Sequence, residues 1–239
     1  MSRRFTRYAW CVKRCYPHRN LYPGKLPPVP PAPRRLPRAE RAQQMLDAAH
    51  ALFAERGYAA VTMDEVAAAV GVTKPLLYNY FGNKERLYLA CLERAGDALL
   101  ATVVDAVGAA RGPDEALRAG VRAFFAFLDA DRDAWRVHFA KTLPASGEVA
   151  GQVEAYRERL TALVATALLQ QLPAGRRLRA RIEVEALSTA VMGAAEALGR
   201  WWLRTEALPA ADTAELLITT VEPGLRERSR ARRSRGATT

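Results

Sequence analysis

Between residues 62 and 84 the chain concentrates side chains whose chemistry suits the grooves and backbone of duplex DNA: Thr62, Thr73, Lys74, Pro75, Leu76, Tyr78, Asn79, Tyr80 and Lys84. A lysine ammonium can donate to guanine O6 and N7, a side-chain amide can pair with adenine, and an apolar group can touch the thymine methyl. Lys74, Asn79, and Pro75 or Leu76 supply those three kinds of contact. Tyrosine hydroxyls reach phosphate oxygens, which positions a helix without reading sequence, and Tyr78 and Tyr80 suit that role. Lys84 and Thr62 stand where helices should begin, and the free N–H groups of a helix start attract phosphate.

Such side chains act only if rigid elements hold them. Met45, Leu46, Ala49, Leu52 and Phe53 recur at steps of three and four, one apolar stripe of a helix that Gly57 should stop. Thr62 followed three residues later by Glu65 is a capping-box signature. The short helix it opens should end at Gly71, with Val66, Ala67 and Val70 turned inward. Thr73 is the expected cap of the next helix, with Pro75 in its first turn, where a missing N–H costs little. That helix should end near Phe81-Gly82, packing by Val72, Leu77 and Phe81. Asn83 then caps a fourth helix running to about Val107. Two short helices joined through a glycine match the helix-turn-helix plan, in which the second enters the major groove by its N-terminal end.

The segments Phe53-Ala-Glu-Arg-Gly57-Tyr58, Val61 to Ala67, Gly71 to Lys74 and Leu77 to Leu87 occur in an order and spacing that resembles the TetR family of bacterial transcriptional regulators. The resemblance implies that Thr62, Lys74, Pro75, Leu76, Tyr78, Asn79, Tyr80 and Lys84 occupy positions that contact operator DNA. Leu76 departs from the family pattern, which commonly has a small or hydroxylated residue there. An apolar side chain shifts the preference toward a thymine methyl. The resemblance also implies a variable helical domain that dimerises and often binds a small inducer, released DNA being the outcome of binding. The expected function is therefore a ligand-responsive repressor on a palindromic operator of double-stranded DNA. The alternative is a small-molecule-binding or enzymatic helical bundle with a vestigial DNA-binding domain, which would need a polar constellation in the second half of the chain.

That second half reads as further amphipathic helices at about 113–129, 131–143, 148–171, 180–205 and 210–225, broken at Gly112-Pro113, Pro144 to Gly147, Pro173 to Gly175 and Pro209. The expected fold is all-α: an N-terminal three-helix DNA-binding domain with a helix-turn-helix over 38–86, then a helical dimerisation and ligand domain over 87–225. Flanking these are a basic, proline-rich extension (1–37) and an arginine-rich tail (226–239), both expected to be disordered. Val153, Tyr156, Leu160, Leu163, Ala167 and Gln171 form one stripe, and Leu187, Ala190, Ala194, Ala197 and Trp201, with Gly193, another. Small residues let helices approach, so the helices near 148–171 and 180–205 are expected to pair two copies of the chain. Candidate lining residues for a small hydrophobic inducer are Phe124, Phe127, Trp135, His138, Phe139, Met192, Glu196 and Trp201.

Charge qualifies these expectations. The chain of 239 residues carries a net charge of +11, but residues 1–38 hold ten Lys/Arg and no acid, and residues 225–239 hold six Arg and one Glu. Between them the body has 20 basic and 24 acidic residues, so its charge does not mark the DNA-binding segment. Seven prolines in the sixteen residues 22–37 exclude regular structure there. Cys11, Cys15 and Cys91 are too few and too odd for a disulfide framework, which fits a reducing cytoplasm. Cys11 and Cys15 beside His18 do not make a convincing metal site, and no metal or cofactor is expected. An Arg3-Arg4 pair lacks the apolar region an export signal needs, and no apolar run is long enough to span a membrane. No catalytic motif such as HExxH, GxSxG or a phosphate-cradling glycine loop occurs, so no enzymatic activity is expected.

Overall fold

The computed structural model describes residues 36–139, 147–172, 175, 177, 178 and 180–234. Those residues form α1 (Arg38–Ala60), α2 (Met63–Val70), α3 (Lys74–Phe81), α4 (Lys84–Gly108), α5 (Pro113–Ala130), α6 (Arg132–Phe139), α7 (Glu148–Gln170), α8 (Arg181–Thr205) and α9 (Ala210–Ser234), with no strand among them. The all-α expectation holds, and most helix starts fall within a residue or two of their sequence signals. The extension expected over 1–37 lies almost wholly outside the described residues, as does the stretch 140–146 in which the sixth helix was expected to end.

Local chemistry sets the first four elements. Gly57 adopts φ 77° and ψ 165°, so it breaks α1 as expected, yet helical geometry resumes as far as Ala60. At α2 the capping box is complete: the Glu65 N–H donates to Thr62 Oγ1 (3.3 Å), and the Thr62 N–H donates to Glu65 Oε2 (2.8 Å). Gly71 closes α2 at φ 70° and ψ 33°, with its own N–H on the Ala68 carbonyl and the Val72 N–H on that of Ala67. This is the left-handed C-cap that glycine adopts without steric cost. Asn83 caps α4 through Oδ1, which accepts the Arg86 N–H at 2.8 Å. Thr73 sits at the N-cap of α3 in extended conformation but makes no side-chain cap bond, contrary to its expected capping role.

Packing is continuous across the expected division at residues 86 and 87. That boundary falls inside α4, and from Arg38 onward the chain is one compact unit. The core under the N-terminal helices contains Met45, Ala49, Phe53, Val66, Leu77, Leu87 and Tyr88, but also Val137 from α6 and Val149 from α7. Each such buried side chain contributes about 1.5–3 kcal/mol, so the first three helices lean on two elements from the second half of the chain. A second core joins α4, α5, α7, α8 and α9 through Leu99, Phe125, Leu128, Leu160, Met192, Trp202 and Leu217. Tyr156 of α7 lies flat on α4 at Gly96, where a Cβ would come within 2.6 Å of its ring, so only glycine fits there. The Tyr156 hydroxyl donates to Asp97 Oδ1 at 2.6 Å.

The last helix is longer than expected. It runs through Pro223 to Ser234 instead of ending near 225. Pro223 removes one N–H from the ladder, but Leu225 is buried in a cluster with Leu168, Leu172 and Val184, which holds the helix beyond the proline.

Candidate nucleic-acid interface

The second helix of the glycine-joined pair, α3, is anchored by one fully buried side chain, Leu77. With Leu77 inward, Thr73, Lys74, Pro75, Tyr78 and Asn79 are exposed on the outer surface, as their spacing requires. Leu76 lies on the shoulder of that surface. It is half-buried and packs on the N-terminal core, so only part of its side chain faces outward. An eight-residue helix with a single fully buried anchor needs flanking apolar contacts, and Leu76, with Tyr80 one turn later, supplies that shoulder. Tyr80 is likewise half-buried, and the Arg38 guanidinium lies 4.7 Å from its ring centroid.

The cations of the site are already engaged. Lys74 Nζ donates to Asp64 Oδ2 at 2.8 Å, an ion pair between α3 and the first turn of α2, and this bond and charge raise the ammonium's pKa. Lys84 Nζ sits 3.3 Å from the Ala59 carbonyl oxygen and 4.5 Å from the centre of the Tyr58 ring, at the end of α1. Partial burial lowers its pKa. Its charge therefore ties the end of α1 to the start of α4 as well as facing solvent. Thr62 is exposed, but its hydroxyl donates to Glu65 Oε2 at 2.8 Å. Glu65 also accepts from Arg56 at 2.8 Å, and these bonds hold its carboxyl at about 2. Thr62 is thus committed first to the cap, and a phosphate contact there needs its hydroxyl to turn.

Three contributors escaped the sequence reading: Arg38, Asp64 and Arg56. Arg38 and Tyr80 lie 42 positions apart, and Asp64 and Lys74 ten, across a turn; no helical periodicity links either pair. The capping box did point to Glu65, and through it to whatever cation reaches that carboxylate.

Farther along the chain, α4, α5, α7 and α8 line a small apolar cavity of about 50 Å³. Of the eight expected lining residues, Phe124 and Met192 lie on its wall. Trp135 is buried beside it, edge-on to Phe124 at 5.1 Å, and Phe127 and Trp201 are half-buried in the same core. Glu196 does not face the cavity. It is buried and accepts from Arg157 Nε at 2.7 Å and Nη2 at 3.1 Å, because a buried carboxylate needs a charged partner. The side chains of His138 and Phe139 lie outside the described residues. Sequence reading favoured aromatic residues, whereas the wall is mainly aliphatic, with Val103, Val107, Leu117 and Leu163 among its members. Aliphatic lining has the same periodicity as ordinary core and carries no separate signal.

The two stripes expected at a subunit interface divide. On α7, Tyr156, Leu160 and Ala167 are buried within the chain's own core. On α8, Ala190, Gly193 and Ala197 are exposed. Among the described residues no cluster of His, Cys, Asp and Glu has the arrangement of a metal site, and no helix is long and apolar enough to cross a membrane.

A three-helix unit presenting α3 in this way, joined to a helical body with an apolar cavity, is the architecture of a helix-turn-helix regulator. Residues 45–91 match the model of bacterial regulatory proteins of the tetR family, and residues 113–222 that of the tetracyclin repressor-like C-terminal domain. The chain is 42% identical over 127 residues to the HTH-type transcriptional activator FasR of Mycolicibacterium smegmatis, covering 53% of this chain and 58% of that one. It is 31% identical over 137 residues to the regulator BetI of Rhizobium meliloti, covering 56% and 67%. The match to FasR thus spans little more than half of that relative's length. A TetR-like regulator from Rhodococcus sp. RHA1 superposes with a TM-score of 0.68 at 31% identity, over 80% of this chain and 99% of that one. The chain belongs to the tetR family of bacterial regulatory proteins.

Proposed function

We propose that this protein is a sequence-specific DNA-binding transcriptional regulator that works as a homodimer and releases its operator when a small hydrophobic molecule enters the cavity. The observation that carries this is α3: Leu77 anchors it while Lys74, Pro75, Tyr78 and Asn79 stand outward on one short helix. Lys74 and Asn79 read base edges, and Tyr78 and Tyr80, with Arg38 stacked on the latter, hold the phosphates.

A palindrome reader needs two-fold symmetry, with half-sites one DNA turn apart or a multiple of it. Pairing falls on the outer face of α8, where Ala186, Ala190, Gly193 and Ala197 leave room for a second backbone and Ile182 stands 84% exposed at the start. The burial of Tyr156, Leu160 and Ala167 on α7 favours the α8 face over the α7 stripe for that role. The effector is apolar because the cavity wall is aliphatic and aromatic. Its signal has a short path. Val103 and Val107 of α4 line the cavity, while Leu87 and Tyr88 of the same helix lie in the core under α3. A ligand that displaces α4 therefore moves the reading helices, and it acts through its differential affinity for the two poses. Release raises transcription where the operator overlaps a promoter.

The test is footprinting of the purified chain on DNA upstream of its own gene, followed by titration of the protected site. A protected palindrome whose affinity falls steeply with salt supports the reading, and Lys74→Ala should alter preference at individual bases by about 1–3 kcal/mol. Absence of any protected site overturns it. Light scattering of Gly193→Arg, expected to be monomeric, tests the pairing face.

A further inference from the structure

Asp64 is an acid in an unexpected place. It lies in the first turn of α2, the helix that crosses the DNA backbone in a helix-turn-helix. A carboxylate there repels phosphate. The neighbouring acid, Glu65, is accounted for by the capping box and by Arg56. Asp64 has no part in the cap, and its ion pair is with Lys74, the outward lysine of the reading helix. Both side chains are solvent-facing, at 64% and 52% exposure, so burial does not force them together.

The pair has two consequences for Lys74. The carboxylate at 2.8 Å offsets part of its charge, which weakens its attraction for phosphates at a distance. Its flexible four-carbon stem is also drawn toward α2. A lysine ammonium has three donors; one is taken by Asp64 Oδ2, and two remain for the paired acceptors O6 and N7 of guanine. A phosphate offers no comparable reason to keep that geometry. Resting on the proposed DNA-binding function, we propose that Asp64 is a specificity residue, which holds Lys74 toward base edges and withholds its charge from the phosphates of non-operator DNA.

The experiment compares the full-length chain with Asp64→Asn on its footprinted operator and on a scrambled duplex of the same length, by fluorescence anisotropy between 50 and 200 mM salt. Freed of its partner, Lys74 engages a phosphate, so on scrambled DNA the slope of log K against log salt should steepen by about 0.9. Affinity for scrambled DNA should rise several-fold while that for the operator changes less, so the ratio falls. The same substitution in a Lys74→Ala background separates this from general loss of negative charge: there the slope should not change. Equal slopes for wild type and Asp64→Asn overturn the proposal, as does an equal steepening with and without Lys74. A wild-type chain that binds its operator while Asp64→Asn leaves the ratio unaltered overturns the role of Asp64 alone. A wild-type chain without selectivity overturns the DNA-binding reading as well.

Discussion

Tyr88→Phe tests whether the N-terminal helices depend on the rest of the chain. Tyr88 on α4 is fully buried, and its hydroxyl donates to the Val137 carbonyl oxygen on α6 at 2.5 Å. Burial pushes the phenol well above its ordinary value, so it is a neutral donor at any working pH. Removing the hydroxyl keeps the ring and its edge contacts with Phe53 (4.8 Å) and Tyr58 (4.9 Å). What is lost is one buried hydrogen bond, a cost of about 0.5–1.5 kcal/mol. For a chain of this size, each 1 kcal/mol lowers Tm by about 2–4 °C, so a cost near 1 kcal/mol lowers it by that amount. Calorimetry and urea titration at pH 7 measure this, with an unchanged m-value showing that the unfolding transition is the same. Operator affinity below the transition should stay close to wild type, since α3 is untouched. A Tm indistinguishable from wild type would refute the claim that this bond holds α6 to the N-terminal core.

Other substitutions isolate single causes. Gly71→Ala places a side chain at φ 70° with no atom within 4 Å, so its cost is backbone strain alone, about 1–2 kcal/mol by urea midpoint; a neutral result would mean the turn relaxes to another geometry. Thr62→Val removes the cap hydroxyl and should cost about 0.5–2 kcal/mol. Because Glu65 is held at about 2 against an ordinary 4.5, the cap is intact above 4.5 and fades as pH falls toward 2, and the variant should lose that part of the acid sensitivity. His50 is buried, neither ring nitrogen has a hydrogen-bond partner among the described residues, and burial and then Arg94 lower its pKa below 6.5, against the opposing pull of Asp131, Asp133 and Asp47. Below pH 6.5 the unfolded chain binds a proton that the folded chain resists, so stability falls as pH drops through that value. His50→Leu should flatten the difference in urea midpoint between pH 7.5 and 5.5, and an equal loss in both proteins would rule out His50 as its source.

Local signals carried the N-terminal third of the molecule. Thr62 with Glu65, Gly71, and Asn83 specify helix ends within a few residues of chain, so their geometry follows from the sequence alone. The outward set on α3 is legible for the same reason: fixing Leu77 inward fixes Lys74, Tyr78 and Asn79 outward by helical rotation. Leu76 escaped because its half-burial depends on how closely α3 lies against its neighbours. The Lys74–Asp64 and Arg38–Tyr80 contacts, and the Lys84 contacts with Ala59 and Tyr58, depend on the angles between helices. The α7 stripe shows the limit most plainly. Its periodicity established an apolar face, but an apolar face can meet the chain's own core or a second copy, and both bury the same area. Tyr156 settling onto Gly96 decided for the core, a match between residues sixty positions apart that only folding brings together. The sequence by itself determined which segments are helices, where most of them begin and which short helix carries the outward polar set. Tertiary structure decided which of those side chains are free, which are already paired, and that the reading unit shares its core with the body that would receive a ligand.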